Sequence, residues 1–192
     1  MPTPNPAALE FLLTRRSRPA KTLTAPVPSR KEITTILTAA ARTPDHGKLE
    51  PWRFIVLEKP ALARLAGLVG ELGAHRNIEP EKIIKMHAQF ANADLVVAVV
   101  SCPVNSPKVP VIEQQHSAGA VCLAMVNAAL AMGWGANWLS GWASHDAEFL
   151  QLGLGCSDGE TLAGFIHLGT ESTAPPERPR PDLNRITTWA ET

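Results

Sequence analysis

The chain has 192 residues, 45% of them hydrophobic, which suits one domain with a sizeable buried core. Its 18 basic residues balance 18 acidic ones without a basic run, which excludes the electrostatic footprint of a nucleic-acid binder. Cys102, Cys122 and Cys156 are odd in number and lack C-x-x-C spacing, so they read as reduced thiols in a cytoplasmic protein.

Met1 to Pro6 lacks a basic start followed by an apolar core, and no secretory signal is predicted. Asn5 before Pro6 is a helix start: Leu9, Leu12 and Leu13 share a face, and Arg15 to Ser17 end the helix. Ser29 with Glu32 forms a capping box ahead of Ile33, Ile36, Leu37, Ala40 and Ala41, a helix that delivers Arg42 and His46 at its C-terminal end. The loop from Thr43 to Trp52 then combines two prolines and a glycine with His46 and Lys48. Such a turn-rich stretch with several donors is suited to a flat anionic ligand.

Apolar, β-branched runs at Trp52 to Leu57, Leu95 to Ser101 and Thr161 to Leu168 predict strands in central, covered positions. Helical patterns fill Pro60 to about Leu72, Pro80 to about Ala93, a long alanine-rich segment and a short one after Ser144, giving an α+β arrangement around one long helix. The uncharged run from Gln114 to Leu139 is alanine-dominated and broken by Asn127, which reads as a buried helix rather than a membrane span. Its Ala118, Gly119, Ala120, Ala124, Ala128 and Ala129 permit close packing in the core or across a dimer contact. Gln114, Gln115 and His116 either face a pocket or pack at a helix start.

Between Gly133 and Trp142 lie three of the five tryptophans. Glycines there allow close backbone approach beside flat indole surfaces, which suits an aromatic ring system; a C-cap at Gly133 followed by a core strand explains the pattern equally well. The proline- and arginine-rich tail from Thr173 to Asp182 is an extended arm. No G-x-S-x-G accompanies the adjacent Asp45 and His46, so a hydrolase is a weak reading. The six histidines do not cluster as metal ligands, and His167 reads as a satisfied core histidine. Gly67, Gly70 and Gly73 lie inside a helical pattern and do not form a Rossmann fingerprint.

Four ordered blocks carry a resemblance: R-R-S at Arg15 to Ser17, A-R-T-P-D-H from Ala41 to His46 with Pro51-Trp52, G-W-G-x-x-W-x-S-G from Gly133 to Gly141, and G-F-x-x-L-G-T from Gly164 to Thr170. From about Leu9 to Thr170 the chain resembles the flavin-dependent nitroreductase family, in its compact branch with a P-D-H motif. That resemblance implies an α+β nitroreductase-like fold, a central sheet flanked by helices, in an intertwined homodimer with non-covalent FMN at the subunit interface.

By the same resemblance, Arg15, Arg16 and Ser17 hold the FMN phosphate, ribityl chain and pyrimidine edge. Arg42 and His46 come from the partner subunit, while Trp138, Leu139, Ser140 and Gly141 run along the ring with backbone amides near its reactive N5. The implied activity is ping-pong: hydride passes from NAD(P)H to FMN, and electrons then pass to a nitroaromatic, quinone or similar small aromatic acceptor, with no catalytic side chain, metal, membrane or nucleic acid involved. Alternatives are a same-fold flavin protein acting in dehalogenation or flavin modification, and a cofactor-free interaction protein. Two features depart from the family: Glu50 replaces the usual glutamine and needs Arg53 or Lys48 to balance it, and the tail lacks the usual basic pattern, with none of Arg178, Arg180 or Arg185 singled out as its substitute.

Overall fold

The computed structural model describes residues 3–190, so Met1 and Pro2 of the leader and Glu191 and Thr192 of the arm lie outside the described residues. Among these, helix α1 (Pro6–Thr14) begins as the sequence predicts, with Asn5 accepting the Ala8 N–H at 3.1 Å. Strand β1 (Leu23–Thr24) precedes α2 (Arg30–Ala40), whose capping box forms: Ser29 Oγ accepts the Glu32 N–H, and Glu32 accepts the Ser29 N–H at 2.8 Å. Next come β2 (Trp52–Glu58), α3 (Lys59–His75), α4 (Pro80–Ala91), β3 (Leu95–Ser101) and the long α5 (Val111–Ala131). The chain continues through β4 (Gly135–Leu139), α6 (Ala147–Leu154) and β5 (Thr161–Glu171) to a short α7 (Leu183–Ile186).

The sheet is antiparallel in the order β1-β5-β3-β2, with β4 also paired to β5. Every residue of β3 is buried, and its period-two alternation feeds two cores. Val96, Ala98 and Val100 face Leu65, Val69, Phe90 and Phe149 of α3, α4 and α6, whereas Leu95, Val97 and Val99 face Ile36, Val121 and Met125 of α2 and α5. Helices therefore cover both faces of the sheet. No helix among the described residues is long and apolar enough to cross a membrane, and α5 spends its apolar face on the second core.

Three expectations need correction. Strand β2 lies at the edge of this sheet, with only Leu57 buried, because its second edge has no partner among the described residues. Strand β5 runs on to Glu171, beyond Leu168, because Gly169 pairs with Gly135 and Thr170 and Glu171 pair with β1. His167 is a core histidine, 3% exposed, but its Nε2 has no partner among the described residues and burial lowers its pKa to about 4.

The predicted C-cap at Gly133 is present, with φ +85° in the left-handed region, directly after α5. Gly164 serves a different purpose. The Trp138 indole lies across it and donates Nε1–H to Ala163 O at 3.1 Å, and a methyl group at Gly164 would overlap that ring.

Two outcomes follow from this packing. Gly164→Ala should displace Trp138 and lower stability by about 1–3 kcal/mol in denaturant titrations, whereas an unchanged midpoint would mean the ring does not need that gap. Acid should destabilise in stages. Folded His167 stays neutral down to about 4 while an unfolded imidazole takes a proton near 6.5, so stability is complete above pH 6.5 and falls toward pH 4. Glu160, held at about 2 by the Arg53 guanidinium, adds a further loss below about pH 4.5. His167→Gln should abolish the upper stage in urea midpoints measured from pH 7 to 5.

Candidate functional site

The segment that follows α1 is docked by backbone and amide hydrogen bonds. Arg18 N–H donates to Ala136 O at 2.9 Å and Asn137 Nδ2 donates to Arg18 O at 2.7 Å, so β4 grips Arg18 from both sides of its peptide. The Arg18 guanidinium also reaches Glu171 at 3.2 Å. This places Arg15 to Ser17 beside the strand that ends in Trp138 and Leu139, bringing two of the four sequence blocks together. Asn137 occupies an unassigned position of the G-W-G-x-x-W block, and a polar amide within an otherwise apolar strand was the signal that it has a partner.

Arg15 and Arg16 are half-buried cations in want of an anion. Arg15 Nη2 donates to Ser17 Oγ at 2.9 Å and Arg16 Nη2 reaches Pro176 O at 3.4 Å, but both Nε–H groups are buried without an acceptor among the described residues. Burial, then the neighbouring Arg180 and Arg16, lower the Arg15 pKa. The tail thus brings Arg180 toward the R-R-S block, while Arg180 itself pairs with Glu177 at 2.8 Å. A buried charged donor left unmade costs about 1–3 kcal/mol or more, so the cluster fits an anionic group with several acceptor oxygens.

At the end of β4, Trp138 is 40% exposed and Ser140 is exposed, while Gly141 is packed so closely that a side chain there would meet Met86. The Gly141 N–H is already donated to Ser144 Oγ at 3.1 Å, which corrects the expectation of a free amide at that residue. The glycine at 141 thus serves protein packing.

Arg42 and His46 lie in the connection between α2 and β2. Arg42 is exposed just past α2; His46 starts a short 3₁₀ turn, 46–48, and no hydrogen bond or ion pair among the described residues joins either to Arg15, Arg16 or Ser17. The surrounding loop departs from ordinary backbone: Gly47, Lys48 and Glu50 have φ of +78°, +56° and +49°. It is held by Asp45 Oδ2, which accepts the Glu50 N–H at 2.8 Å, and by Ser117 of α5, whose hydroxyl donates to Pro44 O at 3.0 Å and accepts Trp52 Nε1–H at 3.2 Å. His46 Nδ1 meets Glu113 Oε2 at 2.6 Å beside an open recess of about 380 Å³ that His116 also lines. Asp45 therefore caps its own loop instead of orienting His46.

Glu50 does not pair with Arg53, which binds Glu160 through two bonds of 2.8 Å. Gln114 is 2% exposed and clasps the segment before α5 through Val104 and Val109, so it packs rather than facing a pocket. Another recess, of about 680 Å³, contains none of the predicted site residues. Its Arg76 pairs with Asp146 and Glu148 and its Glu160 with Arg53, leaving those charges satisfied. Among the described residues no group of three His, Cys, Asp or Glu side chains could hold a metal.

The nitroreductase family model matches residues 12–170. An Escherichia coli K12 protein that bears the provisional name NAD(P)H nitroreductase YdjA is 34% identical over 163 residues, 85% of this chain and 87% of its own. Among solved structures, the nitroreductase-like family protein of Bacillus cereus superposes with a TM-score of 0.78 at 22% identity and full coverage of both chains. A Desulfovibrio desulfuricans protein, provisionally named a nitroreductase and crystallised with FMN, gives 0.74 at 21% identity over 99% of each chain. On the family match and the extent of shared sequence, this chain belongs to the nitroreductase family.

Proposed function

We propose that the protein is a cytoplasmic, FMN-dependent NAD(P)H oxidoreductase that works as a homodimer on nitroaromatic, quinone or similar flat acceptors. The observation that carries this reading is the pair of buried, acceptorless Nε–H groups on Arg15 and Arg16, in a segment docked against the strand that leads to Trp138. FMN, when bound, would supply the redox chemistry, taking hydride from NAD(P)H and releasing electrons to the acceptor in alternating half-reactions. The FMN-bound Desulfovibrio relative and the NAD(P)H-named Escherichia coli relative support that cofactor and donor.

The chain's own residues divide the binding work. Arg15, Arg16 and Ser17 offer guanidinium and hydroxyl donors to the phosphate, ribityl chain and pyrimidine edge, with Arg180 adding positive potential. Trp138, Leu139, Ser140 and Gly141 form a rigid wall for the ring, because Trp138 is wedged over Gly164 and Gly141 is packed on Met86. Arg42 and His46 complete the site from a second copy. That second copy would also cover Leu9, Leu12 and Leu13 of α1, which are more than half exposed, and the tail's Leu183, Ile186 and Trp189.

Arg15→Ala should weaken FMN binding by about tenfold to a hundredfold, the loss of one or two charge-assisted bonds, and leave the sedimentation behaviour of the protein unchanged. Full FMN retention would remove Arg15 from the site. Arg180→Ala should give a smaller loss that shrinks in high salt, as expected of a charge acting through its field. In steady state, rates at varied NAD(P)H and several fixed acceptor concentrations should give parallel double-reciprocal lines, and intersecting lines would exclude alternating use of one pocket.

A further inference from the structure

We propose that Glu113 is a positioning residue that fixes the His46 imidazole so that Nε2 is the nitrogen presented to the cofactor. This rests on the reading of His46 as a flavin contact. Three bonds tie the loop that carries His46 to the first two turns of α5, and two of them, both through Ser117, act on Pro44 O and the Trp52 ring. Glu113 sits one helical turn before Ser117 on the same face and is the α5 residue that reaches the His46 ring itself, at 2.6 Å. An ionised carboxylate has no proton to give, so this bond requires the proton on Nδ1. Nε2 then has no partner among the described residues.

Stability does not account for the pair. The side chains are 58% and 46% exposed, and ion pairs in such positions add about 0–1 kcal/mol. The loop meanwhile keeps Lys48 and Glu50 in the left-handed region, a conformation that costs about 1–3 kcal/mol per residue and persists where surrounding contacts enforce it. Ser117 and Asp45 supply those backbone contacts. What remains for Glu113 is orientation: it selects the ring tautomer with the proton on Nδ1 and Nε2 open, and it holds the His46 ring at the recess that Asp45, His116 and Ala120 also line.

The test is FMN affinity, measured by quenching of flavin fluorescence, for the full-length protein and for Glu113→Ala, Glu113→Gln, His46→Ala and the Glu113→Ala/His46→Ala pair, with ¹⁵N spectra of the imidazoles in cofactor-free protein. Glu113→Ala should weaken FMN about threefold to tenfold and lose the Nδ1–H tautomer of His46. Glu113→Gln, whose amide oxygen still accepts, should stay near the parent in both readouts, and the double variant should be no weaker than His46→Ala alone. Parent-like affinity in Glu113→Ala, beside a clear loss in His46→Ala, would overturn the positioning role while leaving the flavin reading intact. Parent-like affinity in His46→Ala would remove His46 from the site and this role with it, and a protein that binds no FMN at all would overturn both readings.

Discussion

The pairing of β5 along both its edges sets the geometry of everything else in the molecule. β3 occupies one edge, with Val96 opposite His167, and β4 lies along the other, with Gly135 opposite Gly169 and Leu139 opposite Phe165. Because β4 is fixed there, its Ala136 carbonyl and Asn137 amide can hold Arg18, and the arginine segment after α1 is anchored to the sheet rather than left as a flexible leader. The same pairing brings Trp138 over Gly164. One strand thus aligns the cationic segment and the tryptophan wall.

Electrostatics then gives that alignment a purpose. Half-buried guanidinium groups ordinarily find carboxylates, as Arg53 does with Glu160. Arg15 and Arg16 form no ion pair among the described residues, and burial, Arg180 and Arg16 lower the Arg15 pKa. A fold that concentrates positive charge in partial burial is less stable for it, unless an anion is bound in the working state. The α5 side of the molecule shows a related economy of function over stability, with Lys48 and Glu50 held in left-handed backbone around His46.

Much of this was legible in the residues themselves. The Ser29–Glu32 box, the Asn5-Pro6 start and the β-branched run at Leu95 to Ser101 are local signals, and the elements form where those signals stand. The motif order also carried the family. What escaped sequence reading depends on residues far apart in the chain. The edge position of β2 is invisible because Val and Ile content reports burial on a pleated surface without reporting which strand is last. Arg53 pairs with Glu160 across 107 positions, so proximity to Glu50 was a poor guide to its partner. Glu113 joins His46 across 67 positions and Asn137 joins Arg18 across 119, and single-sequence spacing holds no trace of either. Gly141 shows a different limit: its glycine suggested an amide open to a ligand, but the close neighbour is Met86 and the amide is donated to Ser144.

The most direct measurement is the visible absorption spectrum of the purified protein, repeated under anaerobic conditions after NADPH or NADH and again after a nitroaromatic or quinone. The account predicts an oxidised-flavin spectrum that bleaches with a nicotinamide donor and returns with the acceptor. A colourless protein that also fails to take up added FMN would contradict it, and would mean that the unpaired arginines after α1 hold some other anion or none.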